Sequence, residues 1–162
     1  MNPINIGLLG FGTVGAGTYT VLTRNEAEIT RRAGRPLRVH SVATKNLDDA
    51  QKMTGGKVHL TDDAFSVVNN PEIDIVIELI GGDTIAKELM LKAIANGKHV
   101  VTANKALLAK HGNEIFAAAR AKGVMIGFEA AVAGGVPIIK ALREGLTANR
   151  IQWIAGIING TT

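Results

Sequence analysis

The chain has 162 residues, is 46% hydrophobic and contains no cysteine, which fits one core of ordinary size and excludes a disulfide framework, a thiolate metal site and a cysteine nucleophile. Its net charge of +4 comes from scattered basic residues and only 4% of residues are aromatic, so no base-stacking nucleic-acid surface is expected. No run approaches the ~18 apolar residues of a membrane span, and the N-terminus has no basic region followed by an apolar one, so the sequence predicts a cytoplasmic protein with no membrane partner.

Residues 4–9 (I-N-I-G-L-L) read as an apolar strand that runs directly into Gly10, Phe11, Gly12, Thr13, Val14 and Gly15, and helix-compatible sequence follows over 13–24. A dinucleotide pyrophosphate site requires strand, glycine turn and helix in that order. Gly10 permits the sharp turn, Gly12 lets the backbone approach the phosphates, and Gly15 lets the helix pack close to the strand. The N–H groups at the helix start, with the roughly +0.5 charge of the helix dipole, then face the anion. Val14, Thr18, Val21 and Leu22 are expected to form the apolar face of this helix. Helical character extends toward 33, and Gly34 and Pro36 end it. The basic stretch R-R-A-G-R-P-L-R at 31–38 lacks interleaved aromatics and reads as a solvated connection with modest attraction for anionic ligands.

The second strand is expected over 37–44 (L-R-V-H-S-V-A-T), with His40 inside it as packing or edge decoration. In NAD-specific folds an acidic residue at the end of this strand bonds the adenosine ribose. Here Thr44, Lys45 and Asn46 precede the first acid, Asp48. A lysine would attract a 2′-phosphate, so NADP(H) is expected in preference to NAD(H).

A short helix follows over 48–53, then a turn at Gly55 and Gly56, then a second short helix capped within 61–63 and ending at Val68. Residues 73–80 (I-D-I-V-I-E-L-I) read as a central parallel strand covered on both faces. Glu78 is its exception, and a carboxylate there must be paired, sit at the sheet end or shift its pKa. Gly81, Gly82 and Asp83 fall at the carboxyl end of that strand, where open α/β sheets bind ligands. Asp83 or Thr84 is expected to cap the next helix, whose buried side comprises Ile85, Leu89 and Ala93 with Ala86, Met90 and Ile94, before Asn96 and Gly97 stop it. A fourth strand spans 99–102, with Ala103, Asn104 and Lys105 just beyond its end. A helix is expected over about 113–122 and a fifth strand over 124–128. Small irregular sequence follows until Pro137 opens a last helix, and 151–158 is strand-like. An end so soon after that run reads as a truncation.

The alternation of strands and helices predicts a doubly wound, mostly parallel α/β sheet of the Rossmann type with right-handed crossovers. His40, His59, His99 and His111 show no metal-ligand spacing. Two function classes fit: the nucleotide-binding portion of an oxidoreductase, and a non-catalytic nucleotide-sensing or regulatory module, for which a complete short chain would be natural.

The stretches G-F-G-T-V-G at 10–15, E-L-I-G-G at 78–82, V-T-A-N-K at 101–105, E-A-A-V-A-G-G-V-P at 129–137 and G-I-I-N-G-T-T at 156–162 together resemble homoserine dehydrogenase across the whole chain, in the family's order. The resemblance implies NAD(P)-dependent interconversion of L-aspartate 4-semialdehyde and L-homoserine, on the route to threonine and methionine, by a homo-oligomeric enzyme. It implies that the glycine loop, Lys45, Gly81, Gly82, Thr102 and Lys105 line the cofactor, with Lys105 near the nicotinamide as the catalytic group that positions or polarises the reacting oxygen. It also implies a monovalent-cation site, for Na+ or K+, built from backbone carbonyls of Glu129, Val132, Gly134 and Val136. On this reading 1–148 is the NAD(P)-binding domain and 149–162 the first strand of a truncated substrate and dimerisation domain. The family's substrate clamp, general acid and threonine-sensing region fall outside these residues, so cofactor binding without turnover is expected.

Overall fold

A computed structural model describes residues 2–156. The elements in order are β1 (Ile4–Leu9), α1 (Thr13–Arg24), α2 (Glu26–Ala33), β2 (Leu37–Ala43), α3 (Leu47–Thr54), β3 (His59–Thr61), α4 (Ala64–Asn69), β4 (Ile75–Glu78), α5 (Ile85–Ala95), β5 (His99–Thr102), α6 (Lys105–Lys122), β6 (Ile126–Gly127) and α7 (Ile138–Lys140). The six strands form one sheet in the order β3-β2-β1-β4-β5-β6, and every neighbouring pair is parallel. The expected doubly wound α/β sheet is therefore observed. Its chain direction of travel reverses between β1 and β4, the point at which such sheets open a ligand crevice.

The apolar pattern explains the layers. Ile6, Leu8, Val42 and Ile77 pack with Tyr19 of α1 on one face, whereas Leu9, Val76 and Val100 pack on the other with Val67, Leu89, Met90, Leu107 and Ile115 of α4, α5 and α6. Gly7 sits in β1 because a Cβ there would lie 2.5 Å from Val67 Cγ1. The β1–β2 register slips by one residue after Ile6, which leaves His40 unpaired in the ladder; its ring contacts Ser41 Oγ at 2.8 Å. His40 also stands 3.5 Å from the Glu72 carboxylate through Nε2, on a strand that lies inside the sheet. At the amino end of the sheet, buried Lys98 donates from Nζ to the carbonyls of Asn70 (2.6 Å) and Ile73 (2.8 Å), and burial pushes its ammonium below the usual lysine range.

Several boundaries differ from expectation. The buried residues of α1 are Gly15 and Tyr19, while Val14 and Val21 are exposed; close packing at Gly15 rotates the helix so that the glycine, not the valines, faces the sheet. β3 was not expected at all, and its three residues pair with only Ser41, Val42 and Ala43. β4 stops at Glu78 because that carboxylate takes the next free N–H groups, Ile80 and Gly81, away from a neighbouring strand. α6 starts at Lys105 rather than near 113, running through Gly112, whose added Cβ would meet only Phe116 at 3.5 Å. α5 has Thr84 at its N-cap with no side-chain bond, and Asp83 turns instead to Lys110. β6 is two residues long, not five. Residues 151–156 have no regular structure, since their backbone meets no neighbouring strand among the described residues; the rest of that expected strand lies outside the described residues. No helix among the described residues is long and apolar enough to cross a membrane.

Candidate functional site

The glycine loop leaves β1 at the centre of the sheet. Gly10 N–H still bonds the Ala43 carbonyl at 2.9 Å, after which φ at Gly10 is +92° and a Cβ would stand 2.7 Å from the Leu79 carbonyl oxygen. Only glycine meets both demands. At Gly15 a Cβ would lie 2.1 Å from the Gly10 carbonyl oxygen, so α1 sits directly against the turn. Gly12 differs from both: its backbone is extended, and a Cβ would meet nothing within 4 Å. A side chain there would project into the open space before the helix.

That space faces unused donors. Gly12 gives α1 no side-chain cap and its first turn holds no acidic residue, whereas α3, α4 and α6 are capped by Asn46, Asp63 and Asn104. The first-turn N–H groups of Thr13, Val14 and Gly15 therefore remain for an anion. A glycine cradle with open room before an uncapped helix start fits a dinucleotide pyrophosphate. Phe11 anchors the loop by edge-on contact with Tyr19, ring centres 5.9 Å apart.

On the β2 side, Thr44 N–H donates to the Thr61 carbonyl at 2.8 Å and Thr44 Oγ1 accepts from Asn46 N at 3.2 Å. Lys45 is exposed and forms no ion pair among the described residues. The nearby Asp49 carboxylate is instead held by Asn46 Nδ2 at 2.6 Å. The cation is left facing outward.

On the β4–β5 side a cavity of about 300 Å³ is lined by Val14, Leu79, Gly81, Ala103, Asn104, Lys105 and Ala106. The 59% exposure of Val14 follows from its place on this wall. Gly81 and Gly82 have φ of +80° and +74°. Lys105, the first residue of α6, is exposed on the rim. Thr102 lies beneath the cavity rather than on it, fully buried, with its hydroxyl donating to Glu78 Oε2 at 2.8 Å. Asn104 joins the two turns, since Nδ2 donates to the Gly82 carbonyl (2.6 Å) while Oδ1 accepts from Leu107 N (3.0 Å). The Lys110 ammonium pairs with Asp83 and holds its carboxyl below the usual carboxylate range.

Glu129, which opens a short 3-10 turn, Val132, Gly134 and Val136 lie on the segment between β6 and α7. The Glu129 carbonyl accepts from Val132 N at 3.2 Å and the Val136 carbonyl from Ile138 N at 2.8 Å. The Glu129 carboxylate points elsewhere, accepting from Ile139 N and Lys140 N at 2.9 Å each. Among the described residues no three His, Cys, Asp or Glu side chains gather as a metal site.

The fold thus brings the glycine loop, Gly81, Gly82 and Lys105 to one crevice, with Lys45 at the adjoining strand end. Leu79, Ala103, Asn104 and Ala106 line the cavity without having been expected as site residues from the sequence. The signal for Asn104 was available: an asparagine directly before a helix is a preferred N-cap.

Comparison with known proteins agrees with this arrangement. Residues 10–129 match the family described as homoserine dehydrogenase, NAD binding domain. Homoserine dehydrogenase of Pseudomonas aeruginosa is 63% identical over 161 residues, 99% of this chain and 37% of the relative. A crystal structure of homoserine dehydrogenase from Thiobacillus denitrificans superposes with a TM-score of 0.90 at 71% identity, covering 99% of this chain and 37% of that one. A hyperthermophilic archaeal homoserine dehydrogenase in complex with NADPH superposes with a TM-score of 0.72 at 28% identity, covering 91% of this chain and 50% of that one. The chain spans little more than a third of the length of the curated relatives.

Proposed function

The chain belongs to the homoserine dehydrogenase family and carries its NAD-binding domain, and from that premise we propose that it is the cofactor-binding portion of an enzyme interconverting L-aspartate 4-semialdehyde and L-homoserine. The observation that carries this reading is the uncapped start of α1 behind Gly12, placed where the strand order reverses. The first-turn N–H groups hold the pyrophosphate, Thr44 and Lys45 flank the adenosine ribose, and Gly81, Gly82, Val14 and Lys105 surround the nicotinamide. When bound, the nicotinamide supplies the hydride chemistry. Lys105 places a positive charge on the cavity rim, where it opposes the negative charge that builds on an aldehyde oxygen as hydride arrives.

The preferred cofactor in this reading is NADP(H). Its support is the outward Lys45, the engagement of Asp49 by Asn46, and the NADPH bound by the archaeal relative. The reading further places the protein in the cytoplasm, on the route to threonine and methionine. Residues 1–148 form the cofactor domain and 149–162 begin the next one. The 129–136 loop offers carbonyls to Na+ or K+; those of Glu129 and Val136 each already accept one hydrogen bond, leaving one lone pair apiece.

The 162-residue chain is expected to bind cofactor without turning over homoserine. Among the residues lining the cavity Lys105 is the one charged side chain, and no carboxylate stands beside it to pair with the amine of an amino acid. Fluorescence titration with NADPH and NADH tests the reading, with saturable binding expected and tighter for NADPH. Lys45→Ala should weaken NADPH by roughly 1–3 kcal/mol, the range for losing a charge-assisted hydrogen bond, and leave NADH nearly unchanged. Absence of saturable binding by either cofactor overturns the site, and equal losses for both overturn the role of Lys45.

A further inference from the structure

We propose that Glu78 is the positioning residue for the nicotinamide end of the cleft: its carboxylate holds the 79–82 turn and the 102–104 turn at one separation, and that separation sets the width of the nicotinamide slot. The inference rests on the cofactor reading above.

Glu78 closes β4 with 0% exposure, and none of the ion pairs among the described residues includes it. A buried carboxylate is costly to keep without a cation unless hydrogen bonds satisfy it. Here three do. Oε1 accepts from Ile80 N at 2.9 Å and Gly81 N at 3.2 Å, and Oε2 accepts from Thr102 Oγ1 at 2.8 Å. Thr102 is the register partner of Glu78 across β4 and β5, and its Oγ1 in turn accepts from Asn104 N at 3.0 Å. Asn104 Nδ2 returns to the Gly82 carbonyl at 2.6 Å. The bonds close a ring from the Gly81–Gly82 turn through Glu78, Thr102 and Asn104 and back to Gly82.

The ring lies under the cavity wall formed by Leu79, Gly81, Ala103 and Asn104. Gly81 and Gly82 follow one another in the left-handed region, and such a pair has little shape of its own. Packing alone would be served by an apolar residue, as at Ile75, Val76 and Ile77 before it. The carboxylate is needed because only an acceptor can take two backbone N–H groups from one turn and a hydroxyl from the other.

The test separates the nicotinamide end from the rest of the cleft by two probes, NADPH and its nicotinamide-free counterpart 2′-phospho-ADP-ribose, with NADH and ADP-ribose run in parallel. Glu78→Met keeps the side-chain length but removes both acceptor oxygens, leaving the Ile80 and Gly81 N–H groups and the Thr102 hydroxyl without that partner. Thr102→Val attacks the same link from the other strand with little change of volume. Each should weaken NADPH by about 10-fold and 2′-phospho-ADP-ribose by less than about 2-fold, while Thr102→Ser, which keeps the hydroxyl, stays within about 2-fold of the parent for both. Equal losses on the two probes would show that the network only supports the fold, and unchanged NADPH binding would show that it sets nothing; either overturns the proposal. If the parent chain binds neither NADPH nor NADH, the cofactor reading falls and takes this inference with it.

Discussion

At the β1 side of the crevice the shape comes from side chains that are missing: Gly10 and Gly15 would each drive a Cβ into backbone, at 2.7 Å and 2.1 Å, and Gly12 keeps the helix start open. At the β4–β5 side it comes from side chains that are present, with Glu78, Thr102 and Asn104 bonding two turns together and Lys110 holding Asp83 above them. Backbone-to-backbone contact has no slack, so the first half tolerates no added atom at Gly10 or Gly15. Hydrogen bonds are directional but replaceable, so the second half can be adjusted one bond at a time.

The sharpest break of that contrast is Gly15→Ala. Overpacking against backbone cannot be relieved by a rotamer, so stability to urea should fall by about 3 kcal/mol; a loss under about 1 kcal/mol would mean that the glycine half has slack after all. Gly12→Asp divides fold from function within the same loop. Its Cβ is unobstructed and Asp caps a helix better than Gly, so stability should hold or rise by a few tenths of a kcal/mol. NADPH binding should nonetheless drop at least ~10-fold, about 1.4 kcal/mol, because a charge enters the pyrophosphate space.

Asn104→Ala probes the polar half and should cost about 1–2 kcal/mol, for a lost N-cap and a lost bond to Gly82, read from the same denaturation curves. The smallest effect belongs to Asp83. Lys110 lowers its carboxyl pKa in the folded state, so the pair adds stability above the unfolded carboxylate value of about 4 and loses it as pH falls through the lowered folded value. A melting comparison of Asp83→Asn with the parent should show a small deficit near neutral pH that disappears in strong acid.

The glycine half was legible in the sequence because its demands fall on consecutive residues, and each of Gly10, Gly12 and Gly15 has one physical reason. Lys105 was legible as a lysine just past a strand end. The polar half was not, because Glu78 and Thr102 are 24 residues apart and meet only through the register of two strands. Glu78 could be recognised as a carboxylate in need of partners, but not who they were. β3 escaped because three residues carry no period, and the first half of α6 because Gly112 masks a helix that buried Leu107 and Ile115 hold in place. Val14 and Val21 misled because their apolar character suggested packing; in the fold the small Gly15 occupies that contact and Val14 turns to the cleft.

The strand order has a consequence for synthesis on the ribosome. β1 lies at the middle of the sheet, between β2 and β4, yet it is made before either. With β4 beginning at Ile75 and β1 ending at Leu9, elongation at about 5–20 residues per second keeps β1 waiting for its inner neighbour for roughly 3–13 s. Until β4 is made, the edge of β1 that will face it has no partner strand, so slower translation between Leu9 and Glu78 should lower the share of chains that reach this sheet.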